Sequence, residues 1–284
     1  MAAAAVQVFA TEEAVANGLA KYTSDLSKKF IHRRGAFTVV LSGGYLIKSI
    51  RKLLEPPYVD EVDWAKWHVF WVDERVVHKT HPDSNYKLAY DGFLSKVPIP
   101  PKHIYAINDS LSADDAADDY ELRLKQLVKS GVLDVSTTTG FPRFDLMLLG
   151  MGPDGHLASL FPKHHLLREN QRWVAFTKDS PKPPPVRITF TFPVINASAH
   201  VAMVVVGTGE VDAVGRALGR PDSSSDLLPV QMVTLEDGEF IWFTDKEATS
   251  KLGSLYRCRN RFQTLLKRIG MGSFTGSWFR KSKG

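Results

Sequence analysis

Phe144-Asp-Leu-Met-Leu-Leu-Gly-Met-Gly-Pro-Asp-Gly-His156 decides how the rest of this chain is read. Its first half is a short apolar run, and its second half sets three glycines around an aspartate and a histidine. An apolar run of that length reads as a buried strand, and a polar glycine-rich loop cannot extend it or enter a core. A strand therefore ends where an acid, an imidazole and an accessible backbone lie together. The unperturbed pKa of histidine lies near physiological pH, as a general base requires, so Asp154 and His156 are candidates for chemistry. The competing reading is a histidine that only packs or caps the turn.

Outward from this strand, five more runs have the β-branched and aromatic content of buried strands: residues 37–41, 68–72, 187–192, 200–206 and 239–243. The core run itself spans 144–149, and the apolar stretch before Thr11 reads as a first strand. Amphipathic segments lie between them. Thr11 is placed to cap a helix whose first turn holds Glu12 and Glu13, with residues 14–30 continuing it. Another helix starts near Ser112 or Asp114 and runs to Lys129, with Gly131 as its stop. This alternation predicts an α/β fold, an open and mostly parallel sheet with helices on both faces. The stretch Pro181-Lys-Pro-Pro-Pro185 reads as an extended connection, since consecutive prolines donate no backbone hydrogen bonds.

Bulk properties narrow the function classes. A chain of 284 residues with 44% hydrophobic and 24% charged residues can bury a full core. A single cysteine, Cys258, excludes an intrachain disulfide and a thiolate metal cage, which suits a reducing compartment. The N-terminus lacks the basic region of a signal peptide and the Arg/Ser richness of a transit peptide, so a cytoplasmic location is the expectation. No apolar stretch is long enough for a membrane span. The net charge of +5 is local: residues 253–284 hold eight basic residues and no acidic one, and removing these eight from the 36 leaves 28 against 31 acidic residues. The body is thus mildly acidic, which argues against nucleic acid as a partner. The domain expectation is a catalytic unit over 1–252 and a basic, flexible extension over 253–284. The sequence leaves oligomeric state open, with a monomer favoured.

Ligands of open parallel sheets bind at the carboxyl ends of strands. One such junction is Ser42-Gly43-Gly44, followed by an expected helix over 46–54. Two glycines admit close backbone approach and the helix start offers free N–H groups, a design suited to phosphate, though a structural glycine turn has the same look. A second is Asp73-Glu-Arg75, where Arg75 can clamp an anion and Asp73 can orient it or bind hydroxyls; a plain salt-bridge cluster is the alternative. A third is the proline-rich segment, which can pre-position Lys182 and Arg187, or leave them as solvated charge. His164 and His165 lie near the loop, yet their spacing forms no helical pair or carboxylate cage, so no metal is expected.

These residues carry a resemblance. Gly150-Met-Gly-Pro-Asp-Gly-His-Leu-Ala-Ser-Leu-Phe-Pro162 closely resembles the signature of the 6-phosphogluconolactonases. Asp73-Glu-Arg75 with Asp83-Ser-Asn-Tyr86, the 180–189 segment and Gly207-Thr-Gly-Glu210 resemble further family blocks in the same order. The resemblance implies a Rossmann-like fold shared with the glucosamine-6-phosphate deaminases, and hydrolysis of 6-phosphoglucono-δ-lactone in the oxidative pentose phosphate pathway. It implies His156 as general base, backbone N–H groups of the loop from Gly152 to Gly155 as oxyanion donors, and phosphate held by Ser42, Gly43, Gly44 and Arg75, with Lys182 or Arg187 in support. No cofactor is implied, and the partner is a small phosphosugar lactone, not a nucleic acid or a membrane.

Two departures stand out. Many members continue the glycine turn with Ser-Thr-Pro where this chain has Tyr45-Leu-Ile47, which removes hydroxyl donors. Some carry a lysine where this chain has Asp212, which removes a contact and adds a like charge. Both features favour, as a rival reading, a non-catalytic sugar-phosphate sensor. A hexosamine-phosphate deaminase is a second rival, but those relatives carry Asn-Glu-Pro after the Asp-Gly-His, where this chain has Ala158-Ser-Leu. A third, an anionic-surface binder, rests only on the basic tail.

Overall fold

A computed structural model of the chain describes residues 5–219 and 227–252. The strands of the two larger sheets are, in chain order, β1 (Ala5–Phe9), β2 (Phe37–Leu41), β3 (Trp67–Trp71), β4 (Asp73–Arg75), β5 (Leu146–Leu149), β6 (Val174–Thr177), β7 (Arg187–Phe190), β8 (His200–Val205) and β9 (Glu239–Asp245), beside a short antiparallel pair of Asp134–Val135 and Pro142–Arg143. The helices that matter to the site are α1 (Glu12–Arg34), α2 (Leu46–Ser49), α3 (Asn85–Gly92), α4 (Ala113–Lys129) and α5 (Val211–Leu218). Six strands pair in parallel in the order β1-β9-β8-β5-β2-β3, while β4-β7-β6 form a separate antiparallel sheet. The basic extension beyond Leu252 lies outside the described residues.

The central strands are mostly apolar because both faces are covered, with Thr38 of β2 the buried polar exception. In β2, Phe37, Val39 and Leu41 pack with Val15, Leu19 and Phe30 of α1. Val40 points the other way, into a cluster with Ala116, Tyr120 and Leu124 of α4. β5 divides likewise, Leu146 and Leu148 on the first face and Met147 and Leu149 on the second. Each fully buried side chain of this size contributes roughly 1.5–3 kcal/mol of transfer free energy.

α1 begins as its sequence dictates: the Thr11 hydroxyl accepts the Ala14 N–H at 3.2 Å. It runs past residue 30 to Arg34, where His32, Arg33 and Arg34 face the negative end of the dipole, and Gly35 (φ 76°) closes it. α4 likewise takes Ser112 as its cap. The helix expected over 46–54 is split into α2 and a 3₁₀ turn over Arg51–Leu54.

Two expectations are corrected. The run 187–192 is not a strand of the parallel sheet: β7 stops at Phe190 and pairs antiparallel with β4 and β6, and a short helix with Pro193 in its first turn takes over. Val72 is the crossing point, its N–H bonded to Leu41 of one sheet and its carbonyl to the Phe190 N–H of the other. The proline-rich stretch is bent, not extended. Ser180 N–H reaches Pro185 O at 3.2 Å, and the carbonyls of Lys182, Pro183 and Pro184 converge on the Arg187 guanidinium.

In the parallel sheet β5 lies between β2 and β8, so the loops leaving these three strands emerge side by side at their carboxyl ends. That is the switch point where open α/β sheets bind ligands.

Candidate active site

The loops after β2, β5 and β8 wall a cleft of about 500 Å³. The turn after β5 is closed by two backbone bonds, Gly155 N–H to Gly152 O and Gly152 N–H to His156 O, both 2.9 Å. Gly155 adopts φ 82°, which favours glycine. Gly152 is needed for a different reason: a Cβ there would lie 2.1 Å from His156 Cε1 and 2.3 Å from Nδ1. The missing side chain is the space that the imidazole fills.

His156 Nδ1 lies 2.5 Å from Asp154 Oδ1, and the ring packs on Phe161 with centroids 4.6 Å apart. A carboxylate only accepts, so a neutral ring in this arrangement carries its proton on Nδ1 and keeps its lone pair on Nε2. Burial pushes the Asp154 pKa up, but the hydrogen bond and charge of His156 outweigh it and hold the carboxyl below its ordinary value. His156 lines the cleft with its side chain 20% exposed. Asp154 and Gly155 stand behind it and do not line the cleft.

Ser42, Gly43 and Gly44 form the neighbouring wall. Ser42 N–H is anchored to Leu148 O at 3.0 Å, and Gly44 takes φ 64°. A Cβ on Gly43 would fall 1.9 Å from Asn85 Oδ1, so the glycine lets the turn sit against Asn85. Asn85 in turn donates to Asp73 O at 3.1 Å. Its own N–H, with that of Tyr86, is held by Glu74, whose carboxyl caps α3 and is pushed up to about 7 by burial against those N–H bonds.

Asp73, Arg75 and Arg187 make the cationic end. Arg187 is 2% exposed and donates from Nε to Pro184 O (2.8 Å), from Nη2 to Lys182 O (2.9 Å) and Pro183 O (3.1 Å), and from Nη1 to Ser159 Oγ (3.3 Å). A guanidinium has five N–H donors, so one remains for a ligand. Asp73 stands 4.0 Å from Arg187 Nη1 and accepts from Ser159 Oγ at 2.8 Å. Burial lowers the Arg187 pKa and the Asp73 charge opposes that. Arg75 is less engaged: Nη1 donates to Asp83 O at 2.8 Å, and Nε is buried without a partner.

The cleft therefore gathers Ser42, Gly43, Gly44, Asp73, Arg75, Gly152, His156 and Arg187 from the sequence candidates. It does not gather Lys182, which serves through its carbonyl. The expected oxyanion donors are also corrected: the N–H groups of Gly152 and Gly155 are consumed within their own turn. Tyr45 lines the cleft, with Lys48 Nζ 5.2 Å from its ring centroid, whereas Asp212 pairs with Lys251 outside the lining.

Asn85, Ser159 and Glu210 lie within family-like motifs of the sequence, with nothing in their own residue type to mark them as site residues. Asn85 and Glu210 line the cleft, and Ser159 links Asp73 to Arg187. Asp245, at the end of β9, accepts the Gly207 N–H at 3.0 Å and so holds the loop that carries Glu210. Nothing in the local sequence of Asp245 signals that task.

Residues 10–242 match the family model described as glucosamine-6-phosphate isomerases/6-phosphogluconolactonase. The chain is 70% identical over 247 residues to a probable 6-phosphogluconolactonase 4, chloroplastic, of Oryza sativa subsp. indica, covering 87% of this chain and 76% of that protein. It is 63% identical over 247 residues to 6-phosphogluconolactonase 3, chloroplastic, of Arabidopsis thaliana, covering 87% and 75%. Among solved structures, a 6-phosphogluconolactonase of Thermotoga maritima superposes with a TM-score of 0.71 at 25% identity, covering 86% of this chain and 100% of that one. The cytoplasmic expectation is overturned by the chloroplastic names of the rice protein and its Arabidopsis counterpart, although other Arabidopsis relatives carry no compartment in theirs. A single cysteine excludes an intrachain disulfide but does not distinguish one reducing compartment from another. Motif, fold and sequence identity agree, and the chain belongs to the glucosamine-6-phosphate isomerase/6-phosphogluconolactonase family.

Proposed function

We propose that the chain is an ester hydrolase that opens 6-phospho-D-glucono-1,5-lactone to 6-phosphogluconate in the oxidative pentose phosphate pathway, with His156 as its general base. The carrying observation is His156, oriented by Asp154 behind it, on the wall of a cleft that also holds two guanidinium groups. Nε2 of a neutral His156 takes a proton from water as its oxygen attacks the lactone carbonyl. The tetrahedral intermediate then collapses, the bond to the ring oxygen breaks, and the imidazolium returns the proton to that oxygen. Asp154 fixes the ring and stabilises its charged form. No covalent intermediate or cofactor is required.

Arg75 and the remaining donor of Arg187 supply positive charge for the distal phosphate, and the Gly43 and Gly44 N–H groups supply neutral donors. Asp73 orients Arg187 through Ser159. Lactones open spontaneously in water, so one base and good positioning meet the catalytic demand. On this reading the partner is the small substrate alone, without nucleic acid or membrane, and the catalytic unit spans 1–252.

The test is turnover of freshly generated lactone, corrected for spontaneous opening, by the intact chain and by His156→Ala at matched folded fraction. Turnover above background that the substitution abolishes is the expected result. Equal rates remove His156 from the mechanism, and tight binding of 6-phosphogluconate with no turnover in either protein assigns the chain to sensing.

A further inference from the structure

His164 and His165 are consecutive, yet their rings lie 4.3 Å apart, centroid to centroid. Side chains of adjacent extended residues diverge. Here Lys163 takes a left-handed backbone (φ 63°) and His164 caps the 3₁₀ turn that His165 begins, so both rings come to the same place. Asp179, just past β6, sets Oδ1 3.2 Å from His164 Nε2. One ligand atom from each of the three residues lies within 4.8 Å of the others. The spacing of the two histidines gave no such cage, because its carboxylate arrives from a distant part of the chain.

We propose that His164, His165 and Asp179 form a binding site for a borderline divalent transition metal of the Zn²⁺ class. Two imidazoles and one carboxylate favour Zn²⁺, Co²⁺ or Ni²⁺ over Mg²⁺ and Ca²⁺, which take oxygen ligands. Metal–nitrogen bonds of about 2.1 Å place tetrahedral ligand atoms roughly 3.4 Å apart, so the site closes by movements on the order of 1 Å. His165 and Asp179 are exposed and lie on segments that can make them, whereas the His164 side chain is 10% exposed and serves as the fixed ligand.

Three contacts must yield to the metal: Thr177 Oγ1 donates to Asp179 Oδ1 at 2.7 Å, His164 Nε2 and Asp179 Oδ1 bond each other at 3.2 Å, and a third holds the other nitrogen of His164. His164 Nδ1 accepts the Leu166 N–H at 3.3 Å, which in a neutral ring leaves the proton on Nε2. Metal at Nε2 moves that proton to Nδ1 and gives up this bond, which is long and therefore weak.

None of the three residues lines the cleft. The site nevertheless joins two segments that hold Arg187: the stretch bearing Ser159 and Phe161, and the loop whose carbonyls receive the guanidinium. Binding of the metal does not depend on the lactonase reading.

The experiment is calorimetric titration of the chelator-treated full chain with ZnCl₂, repeated on His165→Ala and Asp179→Asn, with Co²⁺ absorption as a second readout. The expected result is one Zn²⁺ bound at this site, with affinity roughly tenfold or more weaker in each variant and the visible Co²⁺ bands of the site lost. Absence of saturable binding, or an affinity unchanged in either variant, overturns the proposal. Both substitutions are at exposed positions, and circular dichroism of the metal-free proteins verifies that the fold is retained.

Discussion

Asp154 Oδ1 and His156 Nδ1 are 2.5 Å apart, although only one residue separates them in the chain. The Gly152–His156 turn is so tight that the acid and the imidazole meet on the same side of it, which makes Asp154 the orienting partner of the proposed base. Asp154→Asn keeps the size of the side chain but removes its charge and allows an amide N–H to face the ring. We expect kcat to fall by roughly 10- to 100-fold with KM little changed, because Asp154 does not line the cleft. Steady-state kinetics on fresh lactone check this, and an unchanged kcat would remove Asp154 from the mechanism.

Gly152→Ala tests the same pair from behind. Its Cβ would stand 2.3 Å from His156 Nδ1, far inside van der Waals contact, so the ring must leave its position against Asp154. Gly152 is not among the positive-φ glycines, so the backbone itself tolerates alanine. The expected outcome is a protein that melts close to the wild type yet loses most of its kcat. Wild-type turnover in this variant would show that the observed ring position is not the one that acts.

Strand ends were legible in the sequence where an apolar run met a glycine turn, as after Leu41 and Leu149, because both faces of those strands are covered and their side chains, Thr38 excepted, are apolar. The β4-β7-β6 sheet was not legible as a separate sheet. β7 has the apolar, β-branched composition of a parallel strand, while β4 is three charged residues that carry no strand pattern, and the crossing at Val72 is what directs them to a separate sheet. Within the site, His156 and Arg75 announced themselves by residue type beside a turn. Asn85, Ser159 and Asp245 did not, since each acts through a partner distant in sequence: Asn85 on Asp73, Ser159 between Asp73 and Arg187, Asp245 on Gly207. Lys182 misled for a related reason. Its charge suggested a ligand contact, but its carbonyl is the group in use.

Glu74 predicts a pH dependence of stability. Its carboxyl is pushed from 4.5 to about 7 by burial, against N–H bonds from Asn85, Tyr86 and Arg75. Between these values the native state retains a proton that the unfolded chain releases. The native state then binds more protons, so stability from this group is greatest below pH 4.5 and declines as pH rises toward 7. The upper bound on that decline is about 3 kcal/mol. Urea unfolding of the wild type and Glu74→Gln at pH 5 and pH 7 isolates the effect as a difference, with the steeper loss expected in the wild type. Parallel pH dependences would mean that the native carboxyl titrates as an ordinary one.

Asp145 anchors the opposite end of the sheet from the cleft. Its Oδ2 accepts from Arg34 Nη2 at 2.8 Å, from Thr38 N–H at 2.7 Å and from Thr38 Oγ1 at 2.9 Å, tying the end of α1 and the start of β2 to the start of β5. Burial raises its pKa, and Arg34 and Thr38 oppose that rise. Asp145→Ala leaves a guanidinium of 11% exposure and the Thr38 N–H without their acceptor. Removing one member of a buried pair costs about 3 kcal/mol or more, while turnover per folded molecule should stay near the wild-type value because the cleft is at the other end of β5. Arg34→Met in the same background should add less than it does alone, since the charge it removes has already lost its near carboxylate and keeps only the longer 3.8 Å pair with Asp134. Denaturant midpoints of the four proteins give the coupling directly, and additive losses would show that the two side chains do not act as a pair.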